Sequence, residues 1–192
     1  MKITDDHWID TALRQPITGG SPMRVRRFLI MHFTSGATAL SSINFWRTPE
    51  ARGASAHFVI DRDGTLYQCR PCNVTCGHAG KSQWAHSGRT FSSLNSCTIG
   101  IEFANAGDNL SLIGRWSKLP PVIARHKNGG VAKEWERYTP EQIETGKQLA
   151  AVLCKRYNLD AILGHDDIAP DRKVDPGPAF PMAEIRKHCG FT

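Results

Sequence analysis

The sequence contains no apolar run of the roughly 18 residues that a membrane-spanning helix needs. Internal repeats and low-complexity linkers are also missing, which excludes repeat arrays and linker-rich proteins. The first twenty residues carry acidic side chains where a secretory signal requires a basic region followed by an apolar core. We therefore expect a chain that is cytoplasmic as synthesised and has no transmembrane segment.

A complete cysteine metal site is missing as well. Cys69, Cys72 and Cys76 read C-x2-C-x3-C, and Cys97 follows much later, without the second C-x2-C pair of a zinc ribbon. This pattern favours buried free thiols, or one local disulfide in an oxidising compartment, over a cysteine metal site.

Composition predicts a single globular domain over residues 1–192, since 40% of the residues are hydrophobic and 22% are charged. The net charge of +6 indicates an anionic partner. The only basic cluster is RVRRF at 24–28, and no nucleic-acid-binding motif accompanies it. Binding to nucleic acid is thus a minor alternative, with steep salt dependence as its signature. Other anionic polymers fit the charge equally well.

The order of the predicted elements is strand, helix, hairpin, strand, helix, strand, helix. Apolar and β-branched runs predict strands, a hairpin turning at Asp63–Gly64, and helices with apolar stripes. The single strands are 27–33, 97–104 and 160–163, and the hairpin covers 55–70. The helices are 38–48, 139–159 and 182–189. Residues 105–138 are predicted to be irregular. The fold class is therefore α/β (mixed α+β), with a central, mostly buried mixed β-sheet flanked by helices.

Three ionisable residues interrupt these apolar elements. His32 ends the strand FLIMHF, Glu102 lies within IGIEF, and His165 follows the apolar ILG. A carboxylate in a buried strand is costly unless it is paired, hydrogen-bonded or near a metal. The alternatives are a hydrogen-bonded core histidine and a glutamate on a solvated sheet face.

The segment LGHDDIAPDRKVDPGPAF at 163–180 concentrates a histidine, four aspartates, two bases and three prolines. Two strand-end histidines and an aspartate from this rigid loop would supply the three protein ligands of a catalytic zinc, leaving a position for water. Imidazole and carboxylate suit zinc better than calcium or magnesium. A solvated surface loop remains the alternative on pattern alone.

This segment closely resembles the C-terminal signature of the zinc-dependent N-acetylmuramoyl-L-alanine amidases, a family shared with the peptidoglycan recognition proteins. It is most similar to the cytosolic recycling amidases of Gram-negative bacteria and to phage endolysins. Further matching blocks occur in the family's order: FLIMHFT at 28–34, SAHFVIDRDGTLYQ at 55–68, GHAGKSQW at 77–84 and NSCTIGIEFAN at 95–105. The resemblance covers about residues 27–185 and implies an amidase-like fold over this core.

The resemblance implies one zinc ion per chain, held by His32, His165 and Asp175, with Glu102 and Lys173 as catalytic residues. Family members that only bind peptidoglycan usually lack a full ligand set, so the complete set here implies an enzyme. The implied reaction is hydrolysis of the amide between N-acetylmuramic acid and L-alanine. Zinc would acidify a water molecule, Glu102 would take its proton, and Lys173 would face the developing oxyanion. Without the resemblance, Lys173 reads as a surface lysine.

Substrate contacts are expected from four further residues, three of which have a structural alternative. They are Arg172, His78, Trp84 and Asn95. Arg172 binds a stem-peptide carboxylate or pairs with an aspartate of its own loop. Trp84 lines the groove or packs in the core, and Asn95 contacts the peptide or braces a loop. His57 is expected behind the metal, orienting a ligand.

Two substrates fit an enzyme of this kind: intact cell wall and soluble anhydro-muropeptides. The basic net charge slightly favours the anionic wall, which a cytoplasmic protein would reach through a separate lysis or secretion system. Residues 106–138 could extend the groove for a polymer. A non-catalytic peptidoglycan-binding module is the other alternative. We expect a monomer.

Overall fold

The computed structural model describes residues 1–191, which form ten strands and four α-helices. The strands are β1 (Leu13–Arg14), β2 (Phe28–Phe33), β3 (Phe58–Ile60), β4 (Leu66–Gln68), β5 (Gln83–His86), β6 (Arg89–Ser92), β7 (Thr98–Phe103), β8 (Val122–Ala124), β9 (Lys133–Trp135) and β10 (Ala161–Gly164). The helices are α1 (Ala39–Trp46), α2 (Pro140–Tyr157), α3 (His165–Ile168) and α4 (Met182–His188). None of the helices within 1–191 is long and apolar enough to cross a membrane.

A six-stranded sheet in the order β1-β4-β3-β7-β2-β10 forms the centre of the molecule. Only β3 and β4 pair in antiparallel fashion, and the other neighbours in this sheet run parallel. The predicted mixed sheet is therefore confirmed. Its three adjacent strands β7, β2 and β10 are almost fully buried, which explains why they read as continuous apolar runs.

The two faces of the sheet pack against different parts of the chain. Leu29 and Met31 point to one face, where they belong to a large core with Leu149, Leu153 and Ile185 of α2 and α4. The other face of β2 packs in a second cluster; its buried members are Phe28, Ile30, Ala79, Leu94, Leu163 and Ile168. Burial on both faces holds the strand ends rigidly, because close-packed side chains cannot shift without opening voids.

Helix α2 begins where the sequence predicts. Oγ1 of Thr139 accepts from the Gln142 N–H at 3.1 Å, and the Gln142 side chain accepts from the Thr139 N–H at 3.2 Å, which completes a capping box before Pro140. Gly146 lets the helix approach the sheet closely, since a Cβ at this position would lie 2.8 Å from the ring of Phe103.

The structure adds elements that the sequence did not predict. Residues 105–138 contain the hairpin of β8 and β9, and residues 83–92 form the hairpin of β5 and β6. Their strands are only three or four residues long and most of their residues lie outside the core, so they lack the extended apolar alternation that marks a half-buried strand. The loop after β10 also begins with one helical turn, α3, too short for a periodic signal.

A buried ion pair ties the excursion 106–136 to the hairpin of β3 and β4. Nε and Nη2 of Arg62 donate to the two carboxylate oxygens of Glu136 at 2.8 and 2.9 Å, and the Ala106 N–H donates to the same carboxylate. The Glu136 N–H donates to the carbonyl of Gly107 at 2.8 Å. Both ends of the excursion therefore meet at one carboxylate, whose side chain is only 1% exposed.

Neutralising this carboxylate should destabilise the protein. Glu136→Gln leaves the Arg62 guanidinium buried without its counter-charge, and we expect the free energy of unfolding to fall by about 3 kcal/mol. Glu134→Gln, at an exposed position of β9 two residues earlier, should change it by less than about 0.5 kcal/mol. Urea unfolding of both variants measures the difference, and equal stabilities would contradict the anchoring role of Glu136.

Candidate functional site

The carboxyl ends of three adjacent parallel strands meet at one edge of the sheet, where ligands bind in open α/β sheets. In the register of β2 and β7, His32 lies directly opposite Glu102. Strand β10 ends immediately before His165, and Asp175 returns to the same point on the loop after α3. The sheet thus brings together four residues that are separated by up to 143 positions in the chain.

The three predicted ligands form a compact triangle of donor atoms. The Nδ1 atoms of His32 and His165 are 3.0 Å apart, and each lies 2.9 Å from Oδ2 of Asp175. A tetrahedral site with metal–ligand bonds of about 2.0–2.1 Å has ligand–ligand edges of about 3.3 Å, close to these distances. Within residues 1–191, no other group of three or more His, Cys, Asp or Glu side chains has this arrangement.

The hydrogen bonds behind the triangle indicate that it needs a cation. Nε2 of His165 lies 3.2 Å from the Ala79 carbonyl, which can only accept, while a second neighbour, Nη2 of Arg172, is 3.4 Å away. Nε2 of His32 faces Nδ1 of His78 at 3.0 Å. With both Nε2 atoms protonated, two Nδ1 lone pairs and a carboxylate oxygen face one another. Three acceptors at this distance repel, so the donor set fits a bound metal ion.

The protonation states at the triangle also suit a metal. Burial and the neighbouring imidazole of His165 lower the pKa of His32 to about 4. Burial raises the pKa of Asp175, but the close contacts of its Oδ2 with the imidazoles of His165 and His32 outweigh this effect and hold that pKa well below its ordinary value. At neutral pH the site therefore presents a neutral imidazole at His32 and an ionised carboxylate, the forms that bind metals.

A cavity of about 320 Å³ opens over the triangle and is lined by Glu102 and Lys173 as well as by ligand residues. Oε2 of Glu102 is buried and has no hydrogen-bond partner within the described residues, although the residue as a whole is partly exposed. Burial and the Asp175 charge raise the pKa of Glu102 to about 8, and the Lys173 charge opposes them. A bound dication would lower this pKa again.

Arg172 fastens residues 165–175, the ligand loop that carries His165 and Asp175, to the segment 79–81. Its Nε donates to the carbonyl of Lys81 at 2.8 Å and its Nη2 to that of Ala79 at 2.6 Å. No hydrogen bond joins it to Asp167 or to any other aspartate of its own loop in the described part of the chain. Arg172 also lines the cavity, at its border with a second cavity of about 340 Å³.

Two of the expected substrate contacts lie elsewhere. Trp84 packs against the second core cluster and lines a different cavity; the tryptophan at the candidate site is Trp46, at the end of α1. Oδ1 of Asn95 accepts from the Ala79 N–H at 2.7 Å, which corresponds to the loop-bracing alternative. His78 does line the cavity.

His57 contacts neither ligand histidine, contrary to expectation. Its Nε2 bonds the Val74 carbonyl at 2.9 Å, and its Nδ1 accepts from the Gly100 N–H at 3.1 Å. The ring packs edge-on against His78, with centroids 5.8 Å apart. The partner of the ligand His32 is therefore His78, and His57 lies one ring further away.

The irregular segment contributes a clamp on the ligand loop that sequence reasoning missed. Asp166 receives hydrogen bonds from Nε2 of His126 at 3.0 Å and Nζ of Lys127 at 2.8 Å, and Asn128 donates to its carbonyl at 2.9 Å. The Asp166 N–H donates to the carbonyl of the ligand Asp175 at 2.8 Å. The only sequence signal was a histidine and a lysine side by side within a polar segment, because the pairing spans about 40 residues.

Comparison with known proteins adds a family match over most of the chain. Residues 21–178 match the family described as N-acetylmuramoyl-L-alanine amidase. The matched range includes all the residues of the triangle and the cavity named above.

Two curated relatives from Escherichia coli have similar sequences. The 1,6-anhydro-N-acetylmuramyl-L-alanine amidase AmpD is 35% identical over 137 residues, which cover 69% of this chain and 56% of AmpD. The N-acetylmuramoyl-L-alanine amidase AmiD is 34% identical over 122 residues, covering 62% of this chain and 36% of AmiD. The matched region therefore spans about a third to a half of these relatives.

Solved structures share the fold over nearly the whole chain. A crystal structure of AmpD covers 98% of both chains with 25% identity and a TM-score of 0.65. AmiD from E. coli, in complex with the substrate anhydro-N-acetylmuramic acid-L-Ala-D-gamma-Glu-L-Lys, covers 92% of this chain and 62% of its own, with 25% identity and a TM-score of 0.66. The endolysin amidase LysCS from Clostridium intestinale, 20% identical, covers 97% and 99% with a TM-score of 0.62 and shows the fold alone.

Removing one donor of the triangle should abolish metal-dependent stabilisation. In the wild-type protein, zinc at 100 times its Kd should raise the free energy of unfolding by about 2.7 kcal/mol. Asp175→Ala deletes a donor, and its Tm should no longer rise when zinc is added after chelator treatment. Asp171→Ala removes an exposed aspartate of the same loop and should keep the full response. Equal responses of the two variants would contradict the assignment.

Proposed function

The chain belongs to the N-acetylmuramoyl-L-alanine amidase family, and on this premise we propose that it hydrolyses the amide bond between N-acetylmuramic acid and L-alanine. The observation that carries the proposal is the triangle of three donor atoms beside Glu102, whose Oε2 has no hydrogen-bond partner among the described residues, in an open cavity. An amide is a poor electrophile and water a weak nucleophile, so the reaction needs both a Lewis acid and a positioned base. These residues can supply both.

We infer that the metal is one zinc ion per chain, held by His32, His165 and Asp175. Two imidazoles and one carboxylate form a donor set that zinc enzymes use, with a position left for water or substrate. When bound, zinc polarises the amide carbonyl and lowers the pKa of a water molecule to about 7.

Glu102 is proposed as the general base and acid. Its unpartnered Oε2 can accept a proton from the attacking water, and the same carboxyl can then donate that proton to the amine of L-alanine as the C–N bond breaks. Lys173 lines the same cavity, and its ammonium can donate a hydrogen bond to the oxyanion that develops on the carbonyl oxygen. The clamp on Asp166 and the bonds of Arg172 keep the loop that carries Lys173 in place.

Peptidoglycan fragments that carry a 1,6-anhydro sugar are the substrate class that the relatives support. AmpD is named for this sugar, and AmiD was crystallised with such a muropeptide. Intact wall is the second candidate, favoured by the net charge of +6, since the wall is an anionic polymer. Synthesis in the cytoplasm, the single-domain organisation and the monomeric state stay predictions from the sequence.

Glu102→Gln and Lys173→Met should reduce the rate of amide hydrolysis without removing the metal. Loss of the general base should lower kcat by about 10²–10⁴-fold. Loss of the oxyanion donor should lower it by about 10²–10³-fold. The rate at which free L-alanine amino termini appear from a soluble anhydro-muropeptide measures the effect, and zinc content is determined for each preparation.

Glu134→Gln and Lys187→Met, at exposed positions outside the cavity, are the matched controls and should keep wild-type rates. A zinc-loaded wild-type protein that cleaves neither the muropeptide nor intact sacculi would refute the enzymatic proposal and leave a binding module. Comparing kcat/KM for the two substrates decides between fragments and wall.

Trp46, rather than Trp84, should affect substrate affinity. Trp46 lines the cavity, so Trp46→Ala should remove an apolar contact worth about 1–1.5 kcal/mol and raise KM about tenfold with little change in kcat. Trp84→Phe keeps most of the packing at a site away from the cavity and should leave KM unchanged. Steady-state kinetics that show the larger KM effect in Trp84→Phe would contradict this placement.

A further inference from the structure

We infer that His78 is a positioning residue whose hydrogen bonds, anchored at Thr98, fix the tautomer of His32 and keep its Nδ1 free to bind the metal. The inference rests on the proposed ligand role of His32 and goes beyond it. His78 was expected to contact substrate, but the hydrogen bonds around it give it a different task.

The direction of these hydrogen bonds is set at one end by the Leu94 carbonyl, which can only accept. The Thr98 hydroxyl lies 2.7 Å from this carbonyl and therefore donates its proton to it. Oγ1 of Thr98 is then left to accept from Nε2 of His78 at 3.1 Å. The Thr98 carbonyl, 3.4 Å from the same nitrogen, can also only accept. Nε2 of His78 must therefore carry a proton.

The tautomer of His78 determines that of His32. With its proton on Nε2, a neutral His78 has a lone pair on Nδ1, which faces Nε2 of His32 at 3.0 Å. His32 must then donate from Nε2, and its own Nδ1 keeps a lone pair directed at the donor triangle with His165 and Asp175.

Packing leaves the His78 ring little freedom to adopt another arrangement. His78 is 7% exposed, and His32 and Thr98 are buried still more completely, which limits competition from solvent. Gly100 provides the space for the ring, because a Cβ there would lie 2.6 Å from its Cγ. The ring of His57 packs edge-on against it, with centroids 5.8 Å apart.

Both ring nitrogens of His78 are thus occupied by protein partners. A residue that recognises substrate through hydrogen bonds needs a free donor or acceptor, and His78 has none left to offer. The arrangement is that of an outer partner that orients a metal-ligating histidine.

Thr98→Val and Thr98→Ser separate the hydroxyl from the packing of β7. Valine keeps the shape but removes the acceptor for His78, so zinc affinity should fall about tenfold, the lower end of the effect of such outer partners. Serine keeps the hydroxyl and should stay within about twofold of wild type. Competition with a chromogenic chelator measures the zinc Kd of each metal-stripped protein, and Tm confirms that each is folded.

A second readout tests the tautomer itself. Long-range ¹H–¹⁵N NMR spectra distinguish Nδ1–H from Nε2–H imidazoles, and His78 should be the Nε2–H form in the wild-type protein with and without zinc. His78→Asn should retain most of the zinc affinity that His78→Ala loses, because its side-chain oxygen can replace Nδ1 as the acceptor for His32. An Nδ1–H form of His78 in the wild type would overturn the inference.

The outcomes distinguish this inference from the proposed function. If the wild-type protein binds zinc and cleaves muropeptides while Thr98→Val and Thr98→Ser have equal zinc affinities, the inference fails and the amidase proposal stands. If the wild type binds no zinc at all, both fail. If it binds zinc with the expected difference between the variants but cleaves nothing, the inference stands and the amidase proposal fails.

Discussion

The parallel register of β7, β2 and β10 is the constraint on which the rest of the site depends. It sets His32 opposite Glu102 and ends β10 one residue before His165. Strand pairing therefore places these three side chains at one edge of the sheet, and their positions do not depend on a flexible loop. Close packing on both sheet faces fixes this register, since a shift by one residue would turn every buried side chain to the wrong face. The chemistry therefore relies on the hydrophobic core for its precision.

The hydrogen-bond acceptors at that edge of the sheet repel one another and lower the stability of the fold. Contacts in the surrounding structure offset this loss. Two imidazole lone pairs and a carboxylate within about 3 Å of one another repel in a medium of low polarity. The ligand loop is accordingly held from outside by bonds to atoms that are not ligands. His126 and Lys127 bind Asp166, and Arg172 binds two backbone carbonyls. Functional sites commonly carry such locally unfavourable arrangements and depend on their supports.

The sequence predicted the parts of the molecule whose signals are local. The buried parallel strands appear in the sequence as continuous apolar runs, and the capping box at Thr139 marks the start of α2. The predicted sheet and its main helix are confirmed. The structure brings together His32, His165 and Asp175 as expected. The hairpins at 83–92 and 122–135 were missed because their strands are only three or four residues long, and tertiary context rather than propensity decides such elements.

What the sequence could not distinguish is which of two similar residues faces the site. Trp84 and Trp46 have the same chemistry, and His57 and His78 both belong to motifs that implied a role, so only their positions in space separate them. Those positions follow from long-range contacts. Asn95 accepts a hydrogen bond from the Ala79 N–H, and Gly100 leaves the space that the His78 ring fills. A glycine in a buried strand usually weakens it. Here the missing Cβ of Gly100 allows the ring of His78 to reach Nε2 of His32. The glycine thus lowers the stability of β7 locally but makes the contact behind the ligand possible.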